Sequence, residues 1–394
     1  MSPRISSVFG AAALLRLVAC YDDDDAVGPV IPPPPPGPPE ALSLIETMTV
    51  PANYGIHDTF IRDGILILCL WNTGVRILDV GGGGRGGTPE APVVLSTFQP
   101  TNGSLTSPAI HNAWWHRAPN GQRRYLFLGQ EGPATLGSVS SGDIKVLDVS
   151  NLSQPVEVAF FRIPGAGTHN FWMNESAQVL YAAFYNAGVV ALDVSGTLSG
   201  DLASREIARI QPGGESAYTW GVMLANGRLY ASDMATGFWQ LHPETLEPVA
   251  GGNNVTERWG SDLWVRGDFA YTGTWGNRGQ NRGDALKIWQ LSSTGAPTLI
   301  DSIIVEGITT VSDVEVSDNG NLLVFSTEGQ TDAGLYVYRL TDPRRPTRVG
   351  YANVVQGIHT VSLGRVANRL YAFAAKNPSS PALLIYDLSE LDTP

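Results

Sequence analysis

An all-β fold assembled from one repeated unit is what this sequence predicts, and three observations carry the prediction. Short runs of Val, Ile, Leu, Tyr and Trp, bounded by Gly, Asn, Asp and Pro, recur along most of the 394 residues. The pattern of one stretch, THNFWMNESAQVLYAAFYNAGVVALDVS at residues 168–195, returns six more times. Sustained helical periodicity is nearly absent, while the 44 glycines and 27 prolines suit a chain that turns often.

The clearest copy reads as three strands: His169–Met173, then Val179–Phe184 after a polar turn, then Val189–Val194 after Asn186-Ala187-Gly188. The other copies begin at His57, His111, Tyr218, Ser261, Ser312 and His359. Seven copies at a period of roughly 45–55 residues, each of three or four strands, are the signature of a β-propeller. One such sheet cannot bury both faces alone, so each unit packs between two neighbours and the ring closes. The expected fold is therefore a seven-bladed β-propeller over residues 43–394.

Taken in order, residues 1–20 join a segment carrying Arg4 to the apolar run VFGAAALLRLVA and end at Cys20. This resembles a secretory signal peptide, and Leu17-Val18-Ala19-Cys20 resembles a bacterial lipobox, which implies export and a lipid on Cys20. The run is too short to span a bilayer as a helix. Residues 21–42 carry Asp22–Asp25 and then IPPPPPGPP, a composition that forms an extended tether rather than a core. The strand-like ALSLIETMTV at residues 41–50 precedes the first repeat, and the last repeat ends without room for an outer strand. The N-terminal strand is expected to complete the seventh blade and close the ring.

After the third strand the copies show a Pro-containing turn and an outer strand, as in LDVSNLSQPVEVAFFRI and LTDPRRPTRVGYANV. With GVRILDV, GDIKVLDVS, GVVALDVS and LLIYDLS, these segments resemble the LVIVD-repeat bacterial propellers, whose units read roughly Gly-Leu-x-Ile-x-Asp-Val-Ser before a Pro-rich turn. The resemblance implies the fold rather than an activity. The run GGGGRGG at residues 81–87 has no strand-to-helix context and no following Lys-Ser/Thr, so it reads as a flexible linker, not a phosphate loop.

The net charge of −12 and the lack of a basic stripe exclude nucleic acid as the expected partner. Cys69, inside ILILCL, reads as a buried, inert thiol. No Gly-x-Ser-x-Gly elbow, paired zinc cysteines or dinucleotide fingerprint occurs.

The constellation with chemistry lies at the head of the innermost strand of each blade, where His57, His111, His169, Tyr218, Ser261, Ser312 and His359 stand. Four of the six histidines in the chain thus share one structural position on four consecutive blades. Imidazoles so gathered at a channel mouth suit a divalent transition metal (Zn, Cu, Fe or Ni), with Glu131 or Glu328 as a further ligand or general base. The same positions equally suit a structural role, hydrogen-bonding a neighbouring blade, with Asp58, Asn112, Asn170, Asp262 and Asp313 as caps. His116 and His242 fall outside the ring and read as solvated. The loops between second and third strands place Trp71, Glu131, Asn186, Asp233, Trp275, Glu328 and Lys376 on a ligand face. Phe60, Trp114, Trp172 and Trp264, three residues into the innermost strands, read as core between blades.

Two functional classes follow. One is a noncatalytic, lipid-anchored, monomeric module of the bacterial cell envelope, periplasmic or surface-exposed, binding a protein or glycan on its propeller face and touching the membrane only through its anchor. The other is a metal-dependent oxidative or hydrolytic enzyme using the histidine cluster.

Overall fold

A computed structural model describes residues 40–132, 135–255, 257–276, 281–377 and 380–393. The segment 1–20 with Cys20, and residues 21–39 of the tether, lie outside the described residues, as do 133–134 and 277–280 of two long loops.

The β-rich expectation follows from how the apolar runs pair. The second strand of the first copy, Ile65–Leu70, is buried along its whole length. It pairs antiparallel with Asp58–Arg62 on one side and Gly74–Asp79 on the other, and Val93–Phe98 adds the outer edge. The same four-stranded meander recurs with innermost strands Ile110–Trp115, Phe171–Asn174, Thr219–Ala225, Trp259–Arg266, Ile308–Val316 and Thr360–Val366. In the last of these units the fourth strand is not supplied by the C-terminus: Ser43–Thr49 pairs antiparallel with Ala382–Asp387.

Each innermost strand contacts those of the preceding and following units, and Thr360–Val366 contacts Asp58–Arg62. Apolar side chains fill every one of these interfaces. Phe127, Phe161, Phe171 and Phe184 pack between the second and third units, and Leu66, Leu68, Phe373 and Ile385 between the last and the first. The pattern is a β-propeller, in which burial of both faces of a sheet requires a neighbour on each side.

A register shift sits in the pairing of third with fourth strand in every unit, for example between Ile77 and Leu78 and between Val337 and Tyr338. The N-terminal strand carries the same shift between Leu44 and Glu46. A bulge of this kind bends and twists the outer edge, and its presence in Ser43–Thr49 marks that strand as an outer strand like the others.

Two local expectations change and one stands. The glycine run is not a flexible linker: the Asp79 carboxylate accepts N–H groups of Gly81, Gly82 and Gly83 on Oδ1 at 2.9, 3.0 and 2.8 Å, and of Arg85 and Gly87 on Oδ2 at 2.8 and 3.2 Å. Glycine is needed where the chain folds tightly around that carboxylate, since a Cβ on Gly82 or Gly87 would collide with backbone. His116 is buried rather than solvated, its Nδ1 2.7 Å from Glu175 Oε2. Cys69 is buried with its thiol pushed up by desolvation, as the sequence suggests.

Candidate metal centre

The histidines reach the channel mouth because each stands where the chain enters an innermost strand. There the backbone N–H of His57, His169 and His359 donates to the second strand of the same unit, on Cys69, Ala183 and Ala375, at 2.9, 2.8 and 2.9 Å. That repeated hook fixes the direction in which each imidazole leaves the strand. The four rings form a continuous arc: His359 to His57 4.1 Å between centroids, His57 to His111 4.3 Å, His111 to His169 3.9 Å.

The ring position of the fourth unit belongs to Trp220, not Tyr218. Trp220 packs on His169 at 4.2 Å, and its carbonyl accepts the N–H of Asn170, as the His57 carbonyl accepts the Thr360 hydroxyl. A register shift between Thr219 and Gly221 leaves Trp220 in the bulge, as the shift between Ile110 and Asn112 leaves His111. Tyr218 instead packs on Tyr185.

Glu131 follows the strand Tyr125–Gln130, and its N–H donates to the Ala109 carbonyl at 2.9 Å. Its Oε2 lies 3.8 Å from Nε2 of both His57 and His111. On the other side of His57, Nε2 of His359 stands 2.9 Å from His57 Nε2. Tyr185 donates its hydroxyl to Glu131 Oε1. Among the described residues, His57, His111 and Glu131 form the one set of three ligating side chains whose donor atoms all lie within 4.8 Å of one another. His169 packs beside His111 and is outside that set.

The electrostatics suit a cation. Burial, reinforced by neighbouring imidazoles, pushes His57, His111 and His169 well below the ordinary histidine value, so they stand neutral with lone pairs available. Burial pushes Glu131 up to about 7, although the Tyr185 hydroxyl and His359 pull the other way. His359 alone is raised, because Glu328, Glu131 and Asp58 outweigh its desolvation. Its Nδ1 pairs with Glu328 Oε1 at 2.9 Å, the carboxylate–imidazole arrangement that turns the other nitrogen toward a metal. A tetrahedral site with bonds of about 2.0–2.1 Å separates its donor atoms by ~3.3 Å. Glu131 stands 3.8 Å from each imidazole nitrogen, a little beyond that value. The donor set that fits a borderline transition ion is therefore His57, His111 and Glu131, which would hold it, with His359 outside the set.

The ligand-face residues divide. Trp71 stacks on His57 at 4.6 Å, and Glu328 holds His359. Trp275 stacks on Trp259 at 5.7 Å and lies 6.3 Å from Trp220, an aromatic rim beside the histidines. Lys376 is half-buried at the end of its strand. Asn186 is a buttress, accepting from Ser140 Oγ at 2.6 Å and donating to the Gly165 carbonyl at 2.8 Å. Asp233 is a correction: it is fully buried and accepts from Tyr218 N, Thr219 Oγ1, Ala235 N and Thr236 N, leaving no carboxylate for a ligand.

Beneath the imidazoles the innermost strands enclose a cavity of about 200 Å³. One belt of its wall is acidic: Asp58, Asp262, Asp313 and Glu315. Asp58 and Asp313 accept the following N–H of their own strand, from Thr59 at 2.7 Å and Val314 at 2.9 Å. Asp262 accepts from Val314 N at 3.2 Å, Asp313 from Val361 N at 2.8 Å and Glu315 from Leu363 N at 2.5 Å, each on the next unit. Burial pushes all four carboxyls above the usual carboxylate range, and the Asp313 charge adds to it at Asp58 and Asp262. The second belt holds Phe60, Trp114, Trp172 and Trp264, whose rings lie 5.4, 5.4 and 5.8 Å apart in sequence. These aromatics pack between blades and also face the channel.

No family model matches the chain, and no curated protein matches it. Solved structures share its shape. A chain in the crystal structure of a mitotic checkpoint complex is 11% identical with a TM-score of 0.61, over 91% of this chain and 98% of that one. The WD40 β-propeller domain of Doa1 is 10% identical with a TM-score of 0.58, over 87% and 96%. The computationally designed Ika8 protein is 9% identical with a TM-score of 0.51, over 85% of each. At these identities the likeness shows the β-propeller fold alone.

Proposed function

We propose that this chain is an exported, lipid-anchored binding module: a seven-bladed propeller, closed by Ser43–Thr49, that holds a divalent transition metal at its channel mouth. One observation carries the metal reading: neutral imidazoles from adjacent units and the buried Glu131 carboxylate converge within ligating distance of one another. Blade number and closure are supported by the seven meanders and by the repeated register shift in the N-terminal strand. The aromatic rim of Trp71, Trp259 and Trp275 gives a protein or glycan a surface beside the metal. The lipobox-like LVAC and the acidic, proline-rich tether support anchoring through Cys20 in the bacterial cell envelope.

Titrating the metal-stripped full chain with Zn, Cu, Fe and Ni salts tests the centre. One ion is expected to bind per chain, and His111→Ala or Glu131→Gln is expected to weaken it at least tenfold, whereas His242→Ala leaves it unchanged. Equal binding by all three variants would place the metal elsewhere. For the anchor, a fatty-acid probe should label the wild type in bacterial cells and not Cys20→Ser. Labelling that survives the substitution would remove the anchor.

A further inference from the structure

The channel beneath the histidines is lined by a second group of polar side chains, apart from the three candidate metal ligands. Its acidic belt places four carboxyl groups along one cavity, and among the described residues none of them forms an ion pair with Lys or Arg. Asp313 accepts backbone N–H groups of Val314 and Val361 on its two oxygens, Asp262 accepts from Asn170 and Val314 on its two, and Glu315 accepts from Leu363 on one. Asp58, Asp313 and Glu315 nevertheless keep part of their surface exposed, although each sits on an innermost strand that lines the cavity. Asn112 and Ser312 line the same cavity, each only 4% exposed, and each has a side-chain oxygen without a partner. Unpartnered buried acceptors beside four carboxyl groups suit a cationic donor, whose charge would favour the ionised carboxylates over the neutral acids that burial favours.

That donor is not a second metal ion. The carboxylates are spread along the wall, and the described residues gather no three of their oxygens within the 4.8 Å that brings His57, His111 and Glu131 together. A larger cation can span them, and the other belt shows which kind. Phe60, Trp114, Trp172 and Trp264 present π faces, which attract organic cations. The protein already uses this wall in that way: the Arg62 guanidinium lies 5.2 Å from the Phe60 ring centre and 5.6 Å from that of Trp114, at the end where it also pairs with Glu175. A cavity of about 200 Å³ has room for a short aliphatic amine.

We propose that the channel binds an aliphatic amine cation, with its ammonium among Asp58, Asp262, Asp313 and Glu315 and its methylene chain against Trp172 and Trp264. The carboxylates supply the acceptors that an ammonium needs on all sides, and the aromatic belt covers the apolar stem.

The test uses the purified full chain with a chelator present, so that no amine is held through a transition metal. Calorimetric titration with putrescine is expected to show saturable 1:1 binding, and the neutral isostere butane-1,4-diol none. Because Trp114, Trp172 and Trp264 line the cavity, putrescine should also shift the tryptophan emission of the wild type. Glu315→Gln and Trp264→Leu should each weaken binding about tenfold or more, the loss expected when a charge-assisted hydrogen bond or a cation–π face is removed. The emission readout on wild type decides the matter even where a variant fails to fold. Equal responses to putrescine and the diol, no response to either, displacement of putrescine by equimolar calcium in a chelator-free repeat, or unchanged affinity in both variants would overturn the proposal.

Discussion

Replacing Asp79 by Asn tests how far one buried carboxylate organises the glycine run. Asp79 is 1% exposed and accepts five backbone N–H groups. Its own desolvation would raise its pKa, but the N–H groups of Gly83, Gly81, Arg85 and Gly87 outweigh it and hold the carboxyl at about 2 against an ordinary 3.8. At about 1.36 kcal/mol per tenfold change in proton affinity, that difference makes the charged form worth about 2.4 kcal/mol to the fold. Asn also turns an NH₂ donor toward a nest of donors, so the loss at pH 7 should reach about 2–4 kcal/mol. The sign of the pH dependence follows from the depressed value. The contribution is fully present above pH 3.8 and is lost as pH falls through about 2. Urea denaturation of both proteins at pH 7 and near pH 2.5 measures the difference. A loss below about 0.5 kcal/mol at pH 7, the range of an ordinary surface change, or a difference that does not shrink toward low pH, would refute the reasoning.

Two further outcomes follow from packing and pairing. Deleting residues 41–50 strips the last unit of the strand bonded to Ala382–Asp387 and removes Ile45 and Met48 from the core shared with the first unit. Stability should fall by at least about 2–5 kcal/mol, the cost of one lost core side chain, while deletion of 21–39 leaves it unchanged; equal thermal stability of the two truncations would contradict the latch. Glu175 accepts from Arg62, Trp114 and the Arg117 backbone and faces His116, and these partners outweigh desolvation to hold it at about 2. Glu175→Gln should cost about 1–2 kcal/mol in urea at pH 7, with the difference fading below pH 4.5 toward 2; a neutral substitution would show that the cluster is incidental.

Much of this architecture was legible because repetition exposes equivalent positions. The second and third strands align on their apolar residues, and that alignment alone brought His57, His111, His169 and His359 to one level. Glu131 came with them because the loop after a second strand must open toward the same face. Register shifts were not legible. In the fourth unit the ring position falls to Trp220, in the bulge between Thr219 and Gly221, and no single-sequence pattern distinguishes it from Tyr218 two residues earlier. The fates of Asp233 and His116 were hidden for another reason. A polar side chain at a strand end looks solvated until the turn that folds over it is known: Thr219 and Thr236 for one, Glu175 for the other. The glycine run was misread because its order comes from Asp79, a residue that the repeat pattern assigns to the preceding strand.

Crystals of the full chain, measured at the absorption edge of the metal that binds, give the most direct view of the central claim. The anomalous difference map should hold one peak at the channel mouth, bonded to Nε2 of His57 and His111 and to Glu131, with His359 beside it. A channel mouth without anomalous density in crystals grown with equimolar metal, or a peak held by other residues, would contradict the metal centre and leave the histidines as structural side chains of the innermost strands.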